Sequence, residues 1–294
     1  MHTEESVRGR GWCAALPAGC AGLGAGRRRI VAPVVLAVLL VVAAATLGTS
    51  PALAAWGTNN QHQLVPAYTY PDWWNTPNNW YRMCDAMNVS GGPSTAVMNP
   101  ASGPGAAANP DYQRVLDHCH AHGQRIVGYV HTSYGARPAA DVIAEVDATY
   151  RFYPAIDGIF LDEMSTSQTT APYYRNLYAY IKSKPGTRDV VGNPGAAASS
   201  GWQLDTPVAD EVVIFEGTAA QYQQWSPPGW SMRRVASQIS HLVYGASTAN
   251  AMRQVCSRSK TRNAGYMYVT DDVLPNPWDT LPAAPYWASE VAAC

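Results

Sequence analysis

Asp157-Gly158-Ile159-Phe160-Leu161-Asp162-Glu163 is the stretch on which the reading of the fold turns. Its four central residues are Gly or apolar, which suits a strand buried on both faces. Two adjacent carboxylates follow where that strand should end. Parallel α/β folds carry their chemistry at the carboxyl ends of such strands. Neighbouring carboxylates also push one pKa up, as acid/base catalysis requires. A solvated loop start with a helix-capping Asp would give the same letters. The pair therefore carries weight only if a second carboxylate shares its placement.

Working outward, similar short apolar runs recur along the chain. Strands are expected at 64–70, 95–100, 125–130, 157–163, 190–195, 211–217, 235–241 and 265–272. Helical segments are expected at 73–87, 109–123, from 138 to about 153, 173–181, 250–258 and 284–293. Asn109-Pro110 opens the second of these with Pro in its first turn. Alternation of this kind predicts a parallel sheet, and eight units in about 240 residues match a single-domain (β/α)8 TIM-type barrel. An open doubly wound sheet is the structural alternative, but no Gly-rich phosphate loop follows the first strand.

The first fifty or so of the 294 residues read differently. Arg27-Arg28-Arg29, the apolar run from Ile30 to Leu47 and Ala52-Leu53-Ala54 form the n-region, h-region and cleavage signal of a secretory leader, expected over 1–54. An uncleaved anchor is the alternative. A secreted catalytic domain would then span 55–294, free of the membrane. Loss of five Arg and two Glu takes the formal charge from −1 to −4. No Lys/Arg cluster remains, which argues against nucleic acid. The abundance of Trp (10) and Tyr (17) over Phe (3) suits sugar rings as well as cores.

Cys84, Cys119, Cys256 and Cys294 are an even set in an exported chain, so disulfides are expected. Consecutive βα units lie side by side. Of the three possible pairings, only Cys84–Cys119 with Cys256–Cys294 joins adjacent units twice. No Cys-x2-Cys or Cys/His zinc spacing occurs, and neither a metal nor another cofactor is expected.

Nearly every expected strand ends in a residue able to bind or react: Tyr68, Asn99, His131 and Tyr134, Asp162 and Glu163, Asn193, Glu216, His241, then Tyr268 and Asp271. Asn-Pro also favours turns, and a lone His is commonly structural. Glu216 decides the matter, because it closes the buried run Val212-Val213-Ile214-Phe215. Two carboxylate positions facing each other across a barrel rim are the equipment of a glycosidase.

At this point the chain resembles the spherulin-4 (spherulation-specific family 4) group of secreted proteins. The resemblance rests on Leu64-Val65-Pro66 with Tyr68 and Tyr70-Pro71, Asn99-Pro100 with Gly103-Pro104-Gly105, and Gly128-Tyr129-Val130 with Thr132 and Tyr134. Gly158-Ile159-Phe160-Leu161-Asp162-Glu163, Asn193-Pro194-Gly195, Phe215-Glu216 and Tyr268-Val269-Thr270-Asp271 complete it. It implies a (β/α)8 glycoside hydrolase acting on α-1,4-linked N-acetylgalactosamine polymers of the galactosaminogalactan type, with Asp162, Glu163 and Glu216 catalytic. Chitinase-like barrels carry D-G-x-D-x-D-x-E on the equivalent strand. Phe160 and Met164 break that pattern here, so their substrate-assisted mechanism is not expected.

The expectation is therefore a secreted, monomeric, endo-acting glycosidase. Glu216 is assigned as general acid/base, Asp162 as nucleophile or stabiliser, and Glu163 as tuner of the pair or ligand of a sugar hydroxyl. Tyr68, Asn99, His131, Tyr134, Asn193, His241, Tyr268 and Asp271 are expected to bind substrate. The rival readings are a carbohydrate-binding or cell-wall protein on the same barrel and a polysaccharide deacetylase.

Overall fold

Eight strands pair in chain order, all parallel, and β1 closes on β8. They are β1 (His62–Ala67), β2 (Thr95–Met98), β3 (Arg125–His131), β4 (Gly158–Asp162), β5 (Asp189–Gly192), β6 (Glu211–Thr218), β7 (Ile239–Tyr244) and β8 (Tyr266–Val269). The helices between and after them are α1 (Asn79–Ala86), α2 (Pro110–Ala121), α3 (Ala139–Phe152), α4 (Ala171–Lys182), α5 (Trp202–Asp205), α6 (Ala219–Gln224), α7 (Ala249–Thr261) and α8 (Ala284–Ala293). This computed structural model describes residues 61–294 apart from 76–77, 88–89 and 91. The leader expected over 1–54 lies outside them. Among the described residues, no helix is long and apolar enough to cross a membrane.

The deciding stretch is apolar throughout because both of its faces are covered. Ile159 and Leu161 point outward and pack with Tyr174 and Leu177 of α4. Phe160 points inward, into the layer that also holds Val191, Val213 and Leu242. Side-chain layers of this kind fill a small barrel and make it a core, not a pore. Below that layer, at the amino-terminal end, the barrel encloses charge. Arg125 pairs with Asp189, and the Ser240 hydroxyl donates to Glu211.

One strand breaks its alternation. Val213 pairs with Ser240 and Phe215 with His241, so Ile214 is an extra residue, a β-bulge. Glu211 and Val213 face inward. Strict alternation would send Phe215 inward as well and turn Glu216 out. With the bulge, Ile214 and Phe215 both face the helices, Phe215 meeting Tyr222 and Trp225. Glu216 is thereby returned to the barrel mouth, the kind of re-aiming for which bulges are retained beside active sites.

Cys84 is bonded to Cys119, with Cα atoms 5.1 Å apart, and Cys256 to Cys294, with Cα atoms 4.8 Å apart. Each bridge joins neighbouring helices of the outer ring. Two elements depart from the sequence reading. Helix α1 begins at Asn79, where Asn78 caps it by accepting from Tyr81 N, and not at residue 73 as expected; residues 73–75 form a turn. Strand β7 begins four residues later than expected, because residues 236–238 form a 3-10 turn.

Candidate active site

The carboxyl ends of β4, β5 and β6 bring Asp162, Asn193 and Glu216 together. The Asn193 side chain is the hub. Its Oδ1 accepts from Gly195 N at 2.9 Å, which leaves Nδ2 facing the carboxylates. Nδ2 donates to Asp162 Oδ1 and to Glu216 Oε2, each at 2.8 Å. Those two oxygens therefore lie no farther apart than twice that distance. Asn193-Pro194-Gly195 is thus a turn and a site residue at once. Gly195 supplies the positive φ the turn needs (67°), and its carbonyl accepts from Glu216 N.

Both carboxyls are held above their usual range. For Asp162 the main cause is burial, opposed by hydrogen bonds from Tyr129, Glu163 N and Asn193, with the charge of Glu163 raising it further. For Glu216 it is again burial, with the Asp162 charge adding to it and the bonds from Asn193 and Trp278 opposing it. The Trp278 indole N–H donates to Glu216 Oε1 at 3.3 Å. Asp162 therefore has more donors supporting its anion than Glu216 has, a difference that separates their proton affinities.

Glu163 sits beside them in a left-handed backbone conformation (φ 49°), as do Ser133 and Tyr134. Such conformations cost about 1–3 kcal/mol and persist where the surroundings impose them. Here the Glu163 carbonyl accepts from Tyr134 N at 2.7 Å and from Thr132 Oγ1 at 2.8 Å. The loops after β3 and β4 are locked to each other at the mouth.

The cleft above these residues has a volume of about 380 Å³. Asp162, Glu163, Asn193 and Glu216 line it, with Tyr134, Tyr244 and the loop Leu274-Pro275-Asn276-Pro277-Trp278 as walls. Tyr68, just past β1, stands edge-on to Tyr129 at 5.5 Å. Burial and then the charge of Asp162 drive its phenol well above its ordinary value. Tyr129, Tyr244 and Trp278 were not singled out from the sequence. Tyr129 faces inward two residues before the end of β3, and Tyr244 is the true carboxyl end of β7. Trp278 lies in a Pro- and Asn-rich loop with no periodicity to mark it.

Several expected ligands are placed elsewhere. His241 is the clearest correction. It lies on the outer face of β7, fully buried, with Nδ1 2.8 Å from the Tyr222 hydroxyl and its ring edge-on to Trp225. Burial, with Arg262 nearby, pushes it down to about 3, so it is a neutral core imidazole. Tyr268 is also inside the barrel, 1% exposed, and supports Trp278 from below. Asp271 is exposed beyond β8, where its charge acts on Tyr268, Tyr286 and Glu290 and not on the cleft pair. Asn99 shapes its own loop by accepting from Gly103 N at 2.8 Å. His131 pairs in register with Asp162, but its carbonyl accepts from Arg137, and its ring lies 3.4 Å from the same guanidinium.

The description "Spherulation-specific family 4" matches residues 63–294. The chain belongs to that family. Spherulin-4 of Physarum polycephalum is 34% identical over 217 residues, which make up 71% of this chain and 62% of that protein. The chain thus matches less than two thirds of that relative's length. Among solved structures, Aspergillus clavatus Sph3 in complex with GalNAc superposes with a TM-score of 0.64 at 22% identity. That match covers 81% of this chain and 99% of Sph3 and shows a shared fold.

Proposed function

We propose that the chain is an exported, endo-acting glycoside hydrolase cleaving an amino-sugar polysaccharide of the α-1,4-linked N-acetylgalactosamine type. The observation that carries the reading is the single Asn193 amide nitrogen shared by Asp162 and Glu216 at the mouth of a (β/α)8 barrel. Two carboxyls so close, both desolvated and unequally supported, suit the paired roles of glycoside hydrolysis. Family membership, together with the GalNAc bound to a structure of the same fold, supports the choice of sugar. The two disulfides suit an oxidising compartment.

In the proposed reaction, Glu216 enters protonated, as burial beside Asp162 favours, and gives its proton to the glycosidic oxygen. Asp162, the better supported anion, attacks the anomeric carbon as that bond breaks, forming a glycosyl ester. Glu216, now ionised, takes a proton from water. That water displaces Asp162 and restores both groups. Retention of configuration needs carboxyls about 5–5.5 Å apart, and inversion about 6.5–9.5 Å. The shared amide favours the shorter span. Glu163 tunes Asp162 through its charge and borders the cleft where a sugar hydroxyl would lie. Tyr134 and Trp278 offer flat faces to sugar rings.

The test is reducing-end release from an α-1,4-linked N-acetylgalactosamine polymer, with products sized and their first-formed anomer read by NMR. Oligosaccharides with the α anomer are expected. Binding without release would establish the carbohydrate-binding alternative, and acetate release without chain cleavage would establish a deacetylase.

A further inference from the structure

The end of the barrel opposite the cleft carries a cluster that the hydrolase reading does not use. Helices α1 and α2 run back from the mouth, so their last turns lie at the amino-terminal end. There Asp85 of α1 faces His118 and His122 at the end of α2. One potential ligand atom from each lies within 4.8 Å of the other two. The geometry points to a binding site for a divalent late first-row transition-metal ion such as Zn²⁺, formed by His118 Nε2, His122 Nε2 and an Asp85 carboxylate oxygen.

Three observations carry this. The His-x3-His spacing places both rings one turn apart on the same helix face, with ring centroids 4.4 Å apart. His118 is further held by Tyr81, stacked on it at 3.9 Å. Second, His122 Nδ1 lies 2.9 Å from the His118 carbonyl, an acceptor. Nδ1 therefore donates to that carbonyl, and Nε2 is the ring atom left to face Asp85. Metal-bound histidines are oriented by this kind of bond. Third, that Nε2 lies 3.4 Å from Asp85 Oδ1, the same oxygen that His118 Nε2 approaches at 2.6 Å. Two ring nitrogens thus converge on one carboxylate oxygen, the arrangement of three ligand atoms that a single ion requires.

Two imidazoles and a carboxylate form a borderline donor set suited to Zn²⁺, with one position left for water. Bonds of about 2.0–2.2 Å put neighbouring ligand atoms roughly 3.3 Å apart in a tetrahedron, within reach of small rotations of these partly exposed side chains. Asp85 follows Cys84 and His118 precedes Cys119, so the ion would clamp α1 to α2 beside their disulfide. In the sequence the set is concealed, because Asp85 lies 33 residues before His118.

The test titrates ZnCl2 into EDTA-stripped, disulfide-intact protein, by calorimetry and by thermal unfolding. Wild type, His122→Gln and Asp85→Asn are compared, with circular dichroism confirming the fold. One zinc per chain with a dissociation constant in the micromolar range is expected. Zinc at about a hundred times that constant should raise the melting temperature by about 5–10 °C. Each substitution should weaken binding at least about tenfold and abolish the shift. Wild type that binds no zinc below millimolar concentration overturns the proposal. Binding unchanged in a folded variant also overturns it, because it places the ion elsewhere, for example at the cleft carboxylates.

Discussion

The two ends of this barrel handle buried charge in opposite ways. At the amino-terminal end, Arg125 answers Asp189, and Glu211 is held by Ser240. At the carboxyl end, Asp162 and Glu216 share a neutral amide. A cation there would settle both carboxyls as anions and remove the acid that the proposed reaction needs. A neutral hub instead leaves burial to raise them while fixing their positions. One core can thus spend its polar groups on stability at one end and, in the proposed reaction, on proton transfer at the other.

The sharpest way to break that comparison is at the mouth. Glu216→Gln and Asp162→Asn should each reduce turnover by about 10²–10⁴-fold while melting stays at or above the wild-type value. Near-normal turnover in either folded variant would remove this pair from the chemistry. The wild-type pH profile should be bell-shaped. Its acid limb would reflect protonation of Asp162 and its basic limb loss of the proton from Glu216, both displaced upward from ordinary carboxyl values.

The next test is at the closed end. Burial pushes Glu211 up to about 8. Between its unfolded value and that one, the folded chain holds a proton that the unfolded chain has released. Its contribution to stability is therefore complete below the unfolded value and is lost as pH rises towards 8, by up to about 1.4 kcal/mol per unit. Glu211→Gln should flatten the fall in melting temperature between pH 5 and pH 8. A decline as steep as wild type would show that Glu211 is not the group responsible.

The smallest effect is expected at Arg125. Arg125→Met strips the cation from Asp189, but the pair is about a quarter exposed, with side-chain exposures of 26% and 22%. Solvent screens part of the loss, so about 1–2 kcal/mol of stability should go, with turnover unchanged at temperatures where the variant is folded. A loss of turnover without a loss of stability would mean that the two ends are coupled.

Most of the architecture was legible because barrel strands covered on both faces leave apolar runs in the sequence. Strand β7 was misplaced because Ile239-Ser240-His241-Leu242-Val243-Tyr244 hides its character. Ser240 turns inward to serve Glu211, and His241 turns outward to meet Tyr222. Starting that strand four residues early and ending it three early put His241, instead of Tyr244, at its end. Trp73 and Trp74 read as the start of a helix, but Asn78 caps α1 only beyond them. At the site, Asp162, Asn193 and Glu216 were readable as strand ends. That one amide bridges the other two depends on the turn bond from Gly195, which residue types alone do not reveal. Asn99 has the same Asn-Pro signature and uses its oxygen on its own loop.

The extra residue in β6 has a genetic corollary. Facing in a strand is a matter of parity, and the bulge at Ile214 resets it for everything after. In-frame loss of that single codon would leave a regular strand, in which Phe215 takes the outward place of Ile214 and Glu216 still reaches the mouth. The strand thus accommodates a whole extra codon without changing which face its carboxyl presents, because the bulge takes up the added residue.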